Sequence, residues 1–88
     1  MKVLEIRDVT RKDVPIYYRM FFSATAQVEL LNEQTVERKI DFSIEIMPTG
    51  MKKILVTLTE SIDYPLVPII KELKTAIDTL DSNGKLPL

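Results

Sequence analysis

Apolar side chains occupy every even position from Ile16 to Leu30: Ile16, Tyr18, Met20, Phe22, Ala24, Ala26, Val28 and Leu30. The odd positions between them are mostly polar, with Arg19, Ser23, Thr25, Gln27 and Glu29. A period of two sustained this far predicts a β-strand with one buried and one wet face. It also predicts a strand well beyond the usual five or six residues. Whatever fold the chain takes must cover that apolar side and deal with the strand's edges.

The same alternation continues downstream. Val36, Ile40, Phe42, Ile44 and Ile46 share one parity, against Glu37, Lys39, Asp41, Ser43 and Glu45 on the other, so residues 35–47 read as a strand. Arg38 is the exception on its apolar side, placed to reach water past its own aliphatic stem or to pair with Glu60. Asn32-Glu33-Gln34 reads as the turn before it. A two-residue turn would throw the apolar faces to opposite sides of the sheet, so a three-residue loop is expected. That loop aligns Leu30 with Val36, Ala26 with Ile40, Ala24 with Phe42 and Phe22 with Ile44, and sets Met47 opposite Arg19. Pro48-Thr49-Gly50 is a second turn. A three-residue loop there pairs Ile44 with Ile54, Phe42 with Val56, Ile40 with Leu58 and Glu45 with Lys53, a favourable cross-strand charge pair. The following strand spans 53–60. Ahead of the long alternation, residues 2–9 form a first strand with Leu4 and Ile6 inward, and Pro15 marks the entry to the second, 16–31.

After Tyr64-Pro65 the period changes. Leu66, Ile69, Ile70, Leu73, Ala76, Ile77 and Leu80 recur at helical spacing, which predicts an amphipathic helix over 66–82. Pro65 and Pro68 belong in its first turn, and Asn83-Gly84 supplies a left-handed stop. The fold expected for the single domain 1–88 is therefore α+β: a four-stranded antiparallel meander, β-β-β-β-α, with the helix on the apolar face. A helix of this length reaches about 25 Å, whereas strands of about 15 residues reach about 50 Å. Either the sheet curls or a second copy shares the covering. The first strand is expected to reach only half of the second, leaving the edge at Ser23, Thr25, Gln27, Glu29 and Leu31 open.

Composition narrows the chemistry. The chain has neither cysteine nor histidine, which removes the common zinc ligands, the usual general base and every Cys/His or Ser/His nucleophile. The acids Glu37, Asp41 and Glu45 recur every fourth residue along a flat face, about 13 Å end to end, and read as solvated rather than as a metal or acid–base site. No enzyme activity, cofactor or metal is expected. A net charge of −1 argues against a binder of many phosphates. With no cysteine, no long apolar run and no leader pattern after Met1-Lys2, a cytoplasmic location and no membrane contact are expected. Two surfaces remain as candidates. One is the open edge from Ser23 to Leu31, suited to strand addition and a homodimer. The other is the outward row Tyr17, Arg19 and Phe21 with Met47 beside it, suited to a protein partner. The expected function is a small non-enzymatic, homo-oligomeric interaction or regulatory module. The alternatives are a carrier of a small apolar ligand held between helix and sheet, and, less favoured, a single-stranded nucleic-acid binder using the aromatic row.

Overall fold

A computed structural model describes residues 2–14, 18–31, 33–62 and 64–87. Its elements run β1 (Lys2–Lys12), β2 (Arg19–Glu29), β3 (Thr35–Ile46), β4 (Lys52–Leu58) and α1 (Leu66–Ser82). The strands form one antiparallel sheet in the order β1-β2-β3-β4, followed by the single C-terminal helix. The α+β meander expected from the alternation is the fold. Pro15, Ile16, Tyr17, Asn32 and Asp63 lie outside the described residues, and with them the expected start of the second strand.

The β3–β4 register is the expected one: Ile44 faces Ile54, Phe42 faces Val56, Ile40 faces Leu58 and Glu45 faces Lys53. Its turn closes through Gly50 N–H on the Met47 carbonyl and Met47 N–H on the Met51 carbonyl, both at 2.8 Å, with Gly50 at φ 86°. This is a three-residue hairpin loop ending in a left-handed residue. The β2–β3 loop has the same construction but sits one residue earlier than expected. Leu30 N–H bonds the Gln34 carbonyl at 2.8 Å, Glu33 N–H bonds Leu30, and Glu33 takes the left-handed position at φ 64°.

That single-residue displacement moves the pairing by two. Phe22 faces Phe42, Ala24 faces Ile40, Ala26 faces Arg38 and Val28 faces Val36. The apolar faces still agree, because a shift of two preserves parity. The selection is made by the side-chain pairs. The observed register stacks Phe22 on Phe42 at 4.9 Å and joins Arg19 to Glu45. The expected one would have set Glu29 against Glu37, a like-charge pair.

β1 departs further from expectation. It pairs along the whole of β2, from Lys2 opposite Glu29 to Lys12 opposite Phe21, with register breaks between Val3 and Glu5 and between Arg7 and Thr10. At the first break the alternation slips, so Val3 rather than Leu4 joins Ile6 and Val9 against the core, and Leu4 is left exposed. At the second, Asp8 turns to φ 54°. These bulges let the strand follow β2 for its full length while hiding its continuation from a strict period-two reading.

The core is built from Phe22, Ala24, Ala26 and Val28 of β2, Ile40, Phe42 and Ile44 of β3, and Ile69, Leu73 and Ile77 of α1. Pro65 occupies the N-cap of α1 and Pro68 lies in its first turn, where no intrahelical donor is lost. At the other end Lys85 N–H bonds the Leu80 carbonyl and Gly84 N–H bonds Asp81, with Gly84 at φ 67°. This Schellman closure reverses the chain and brings Leu86 into the core. Asp78, spaced to pair with Lys74 along the helix, instead meets Lys52 of β4 at 2.8 Å, and Asp81 meets the same ammonium at 2.6 Å. Lys52 thus pins the start of β4 to the last turns of α1, where a cation also opposes the negative end of the helix dipole.

Candidate functional site

The outer face of the sheet carries the aromatic–arginine row. Arg19 and Phe21 do stand side by side on it, the guanidinium 5.9 Å from the ring centroid. The register places Glu45, not Met47, opposite Arg19, and its carboxylate accepts from Nη2 at 3.1 Å. Arg19 Nε is buried without a hydrogen-bond partner among the described residues. Met47 lies beyond the strand end in the β3–β4 turn, exposed beside Met51. Tyr17 is outside the described residues. The row is therefore shorter than the sequence suggested, with its charge already engaged.

The other cations on this face are engaged too. Arg7 meets Glu37 at 2.6 Å, which holds the carboxyl below the usual carboxylate range and raises the guanidinium in turn. Asp41 accepts from the Ser23 hydroxyl at 2.8 Å and meets Lys12 at 3.2 Å. The hydroxyl first, then the ammonium, lowers its pKa. So the acids that recur every fourth residue along β3 each take a cation from β1 or β2. A face that neutralises its own cations offers little to phosphates. Among the described residues no group of three or more acids could hold a metal ion. No helix is long and apolar enough to cross a membrane.

The edge from Ser23 to Glu29 is not open. Ser23, Thr25, Gln27 and Glu29 face Thr10, Arg7, Glu5 and Lys2 of β1, and Leu31 sits in the hairpin loop beyond the strand. The bulges of β1 are the physical reason, since they carry it past the point where its simple alternation ends. A meander has two edges, and here they are β1 and β4.

These edges differ. β1 is interrupted by two register breaks and carries Lys2, Glu5, Arg7, Asp8, Arg11 and Lys12, devices that discourage pairing with another strand. β4 has no break over its whole pairing with β3. The direction of its free groups follows from alternation along an antiparallel ladder. Thr59 N–H bonds the Lys39 carbonyl and Met47 N–H bonds Met51, so odd residues of this hairpin bond across it. Lys52, Ile54, Val56 and Leu58 therefore direct their N–H and C=O groups outward. Among the described residues no backbone bond beyond β3 is recorded for Ile54, Val56 or Leu58.

The end of this edge is finished by side chains. Glu60 turns its carboxylate onto Lys39 N–H at 2.8 Å, taking the place of a ladder carbonyl. Arg38, the cation on the apolar side, donates through Nε to the Ser61 carbonyl at 2.8 Å rather than pairing with Glu60. Between β4 and the first turns of α1 lies a groove of about 450 Å³ lined by Val56, Leu58, Ile62, Leu66 and Ile70. On its rim Leu66 is 55% and Val67 80% exposed, while Leu55 on the opposite face is 41% exposed. A regular free edge flanked by apolar side chains is thus concentrated at β4. The sequence contained the signal, because the last strand of a meander must be an edge.

No curated protein and no solved structure matches the chain. The pattern that does match is that of the BB_0187 family, over residues 1–82. That span takes in all four strands and α1 to its last residue, and the chain belongs to the BB_0187 family.

Proposed function

We propose that this protein is a non-catalytic interaction module whose docking element is the free edge of β4, which accepts an extended strand from a protein partner. The observation that carries the reading is the asymmetry between the two edges. β1 is bulged and charged, whereas β4 is regular and lies beside the apolar groove. Strand addition draws affinity from main-chain hydrogen bonds and specificity from pockets for alternate side chains. Here Lys52, Ile54, Val56 and Leu58 supply the bonds, and the groove at Leu66 and Ile70 supplies the pocket. The outer face becomes a rigid backing for this edge, its Arg19–Phe21 row held by Glu45.

The test uses a synthetic peptide with the sequence of residues 52–60 as the added strand. Titrated into the full chain, it is expected to slow amide hydrogen exchange at Ile54, Val56 and Leu58 and to leave the amides of β1 unchanged. Protection appearing along β1 instead, or at neither edge, refutes the reading. The Val56→Pro variant gives a second arm. Val56 N–H points away from β3, so proline removes a donor that only a partner would use. The variant is expected to stay folded and to lose the peptide.

A further inference from the structure

We infer that the strand seated on β4 is the β4 of a second copy, antiparallel across a two-fold axis that passes through Val56. This rests on the reading of β4 as the docking edge and specifies its partner. Only a subset of registers is open, because outward-bonding residues must meet outward-bonding residues: Lys52, Ile54, Val56 and Leu58 can face only one another and Glu60. A two-fold axis perpendicular to the sheet also keeps the helix-covered faces of both copies on the same side.

Three such registers give substantial overlap, and side-chain chemistry separates them. With Val56 opposite Val56, Ile54 meets Leu58 and Lys52 comes toward Glu60, apolar against apolar and cation against anion. Moving the axis one residue toward Lys52 sets Lys52 against Leu58. Moving it one residue the other way sets Glu60 against Ile54. Either slip buries the stem of a charged side chain against an aliphatic one with no counter-charge. In the favoured register Lys52 donates two of its three N–H groups to Asp78 and Asp81 and has a third to offer. Glu60 spends Oε1 on Lys39 N–H, and its second oxygen can accept.

The apolar groove supports the same partner. Val56 and Leu58 line it from the sheet, Leu66 and Ile70 from the helix. A second β4 in this register lays Ile54 and Val56 of the partner alongside Leu58 and Val56, so the two grooves meet at the axis. The two four-stranded sheets then join into one eight-stranded sheet in which only the bulged, charged β1 edges remain free. A heterologous use of the same edge would leave an unpaired β4 and continue the assembly. The isologous pairing closes it.

The chain contains no cysteine, so single-cysteine variants read the register directly. A hydrogen-bonded antiparallel pair has Cα atoms about 5.5 Å apart, within the range a disulfide spans. Under mild oxidation Val56→Cys is expected to form a covalent dimer at least about tenfold faster than Leu55→Cys or Thr57→Cys, whose symmetry mates lie diagonally. Sedimentation equilibrium of the unmodified chain is expected to give twice its 10.1 kDa mass. Trapping at residue 55 or 57 with residue 56 inert overturns the register. A monomer at millimolar concentration overturns self-association while leaving the peptide test of the edge standing. A dimer that persists in Val56→Pro, with none of the three cysteines trapped, overturns the edge itself.

Discussion

The two-residue displacement of β2 against β3 can be measured as an energy, because it creates one contact that the alternative register lacks. Phe22 and Phe42 stack with centroids 4.9 Å apart and planes 19° from parallel, at 0% and 3% exposure. Replacing either by leucine removes ring atoms from a site that cannot fully collapse and should cost about 1–2 kcal/mol. The rings in contact add about 0.5–1.5 kcal/mol beyond their area, and only this part appears as coupling in a double-mutant cycle. Urea denaturation of the unmodified chain, Phe22→Leu, Phe42→Leu and the double variant would read it. With a slope of about 1 kcal/mol/M for a small domain, each single substitution should lower the midpoint by about 1–2 M. The double variant should fall short of the sum by about 0.5–1.5 M. All four proteins must be compared at one concentration, since any self-association adds a mass-action term. Coupling within about 0.3 kcal/mol of zero would refute the observed register, because opposite Ile44 the ring of Phe22 has no aromatic partner.

The remaining predictions address the helix, the first hairpin and the outer face. Leu73→Ala empties the middle of the helix stripe at a fully buried position and should cost about 2–5 kcal/mol, seen as a melting temperature lower by at least about 10 °C, on the order expected for a domain this size. Glu33 holds φ 64°, a conformation that glycine adopts freely, so Glu33→Gly should stabilise the fold by about 0.5–1 kcal/mol in the same urea assay; a loss would place the left-handed residue elsewhere in the loop. Asp41 has a folded pKa below its unfolded value, so its contribution is present above the unfolded pKa and is lost as pH falls through the lowered folded one. Thermal melts from about pH 6 to about pH 2 should show a steeper acid-side decline for the unmodified chain than for Asp41→Asn, with Ser23→Ala lying between them.

The alternation of β2 and β3 made the sheet legible from sequence, because parity is a strong constraint when one face is buried. Parity is blind to shifts of two, however. The β2–β3 register turned on whether the left-handed loop position fell to Glu33 or one residue later, and no glycine marks it. In the β3–β4 hairpin Gly50 does mark it, and that register followed directly from the residues. The extent of β1 was hidden for a related reason. Bulges at Leu4 and at Asp8–Val9 break the period that a pattern reading relies on, so residues 10–12 resembled a connection. That error carried over to the site, exposing Ser23–Glu29 in expectation and drawing attention away from β4. The Arg19–Phe21 neighbourhood was legible, since side chains two apart on a strand share a face. Its occupation by Glu45 was not, because the acid comes from the misplaced register.

One helix covers this sheet because the sheet bends around it. Over a flat sheet the axis of α1 would stand about 10 Å above every strand. Instead its Cα atoms approach within 8 Å of the two edge strands, β1 and β4, and not of the central pair. The edges therefore rise toward the helix while Ile69, Leu73 and Ile77 fill the trough over β2 and β3. A chain of this size buries only about 60–65% of its unfolded surface, and curling makes that share sufficient for the core without a second copy. Folding and docking are then separable. The side chains that stabilise the monomer are those already at 0% exposure, whereas the free backbone of Ile54, Val56 and Leu58 contributes only when another strand arrives. Substitutions at Leu73 should accordingly unfold the protein, and proline at Val56 should leave a folded protein with no strand to add.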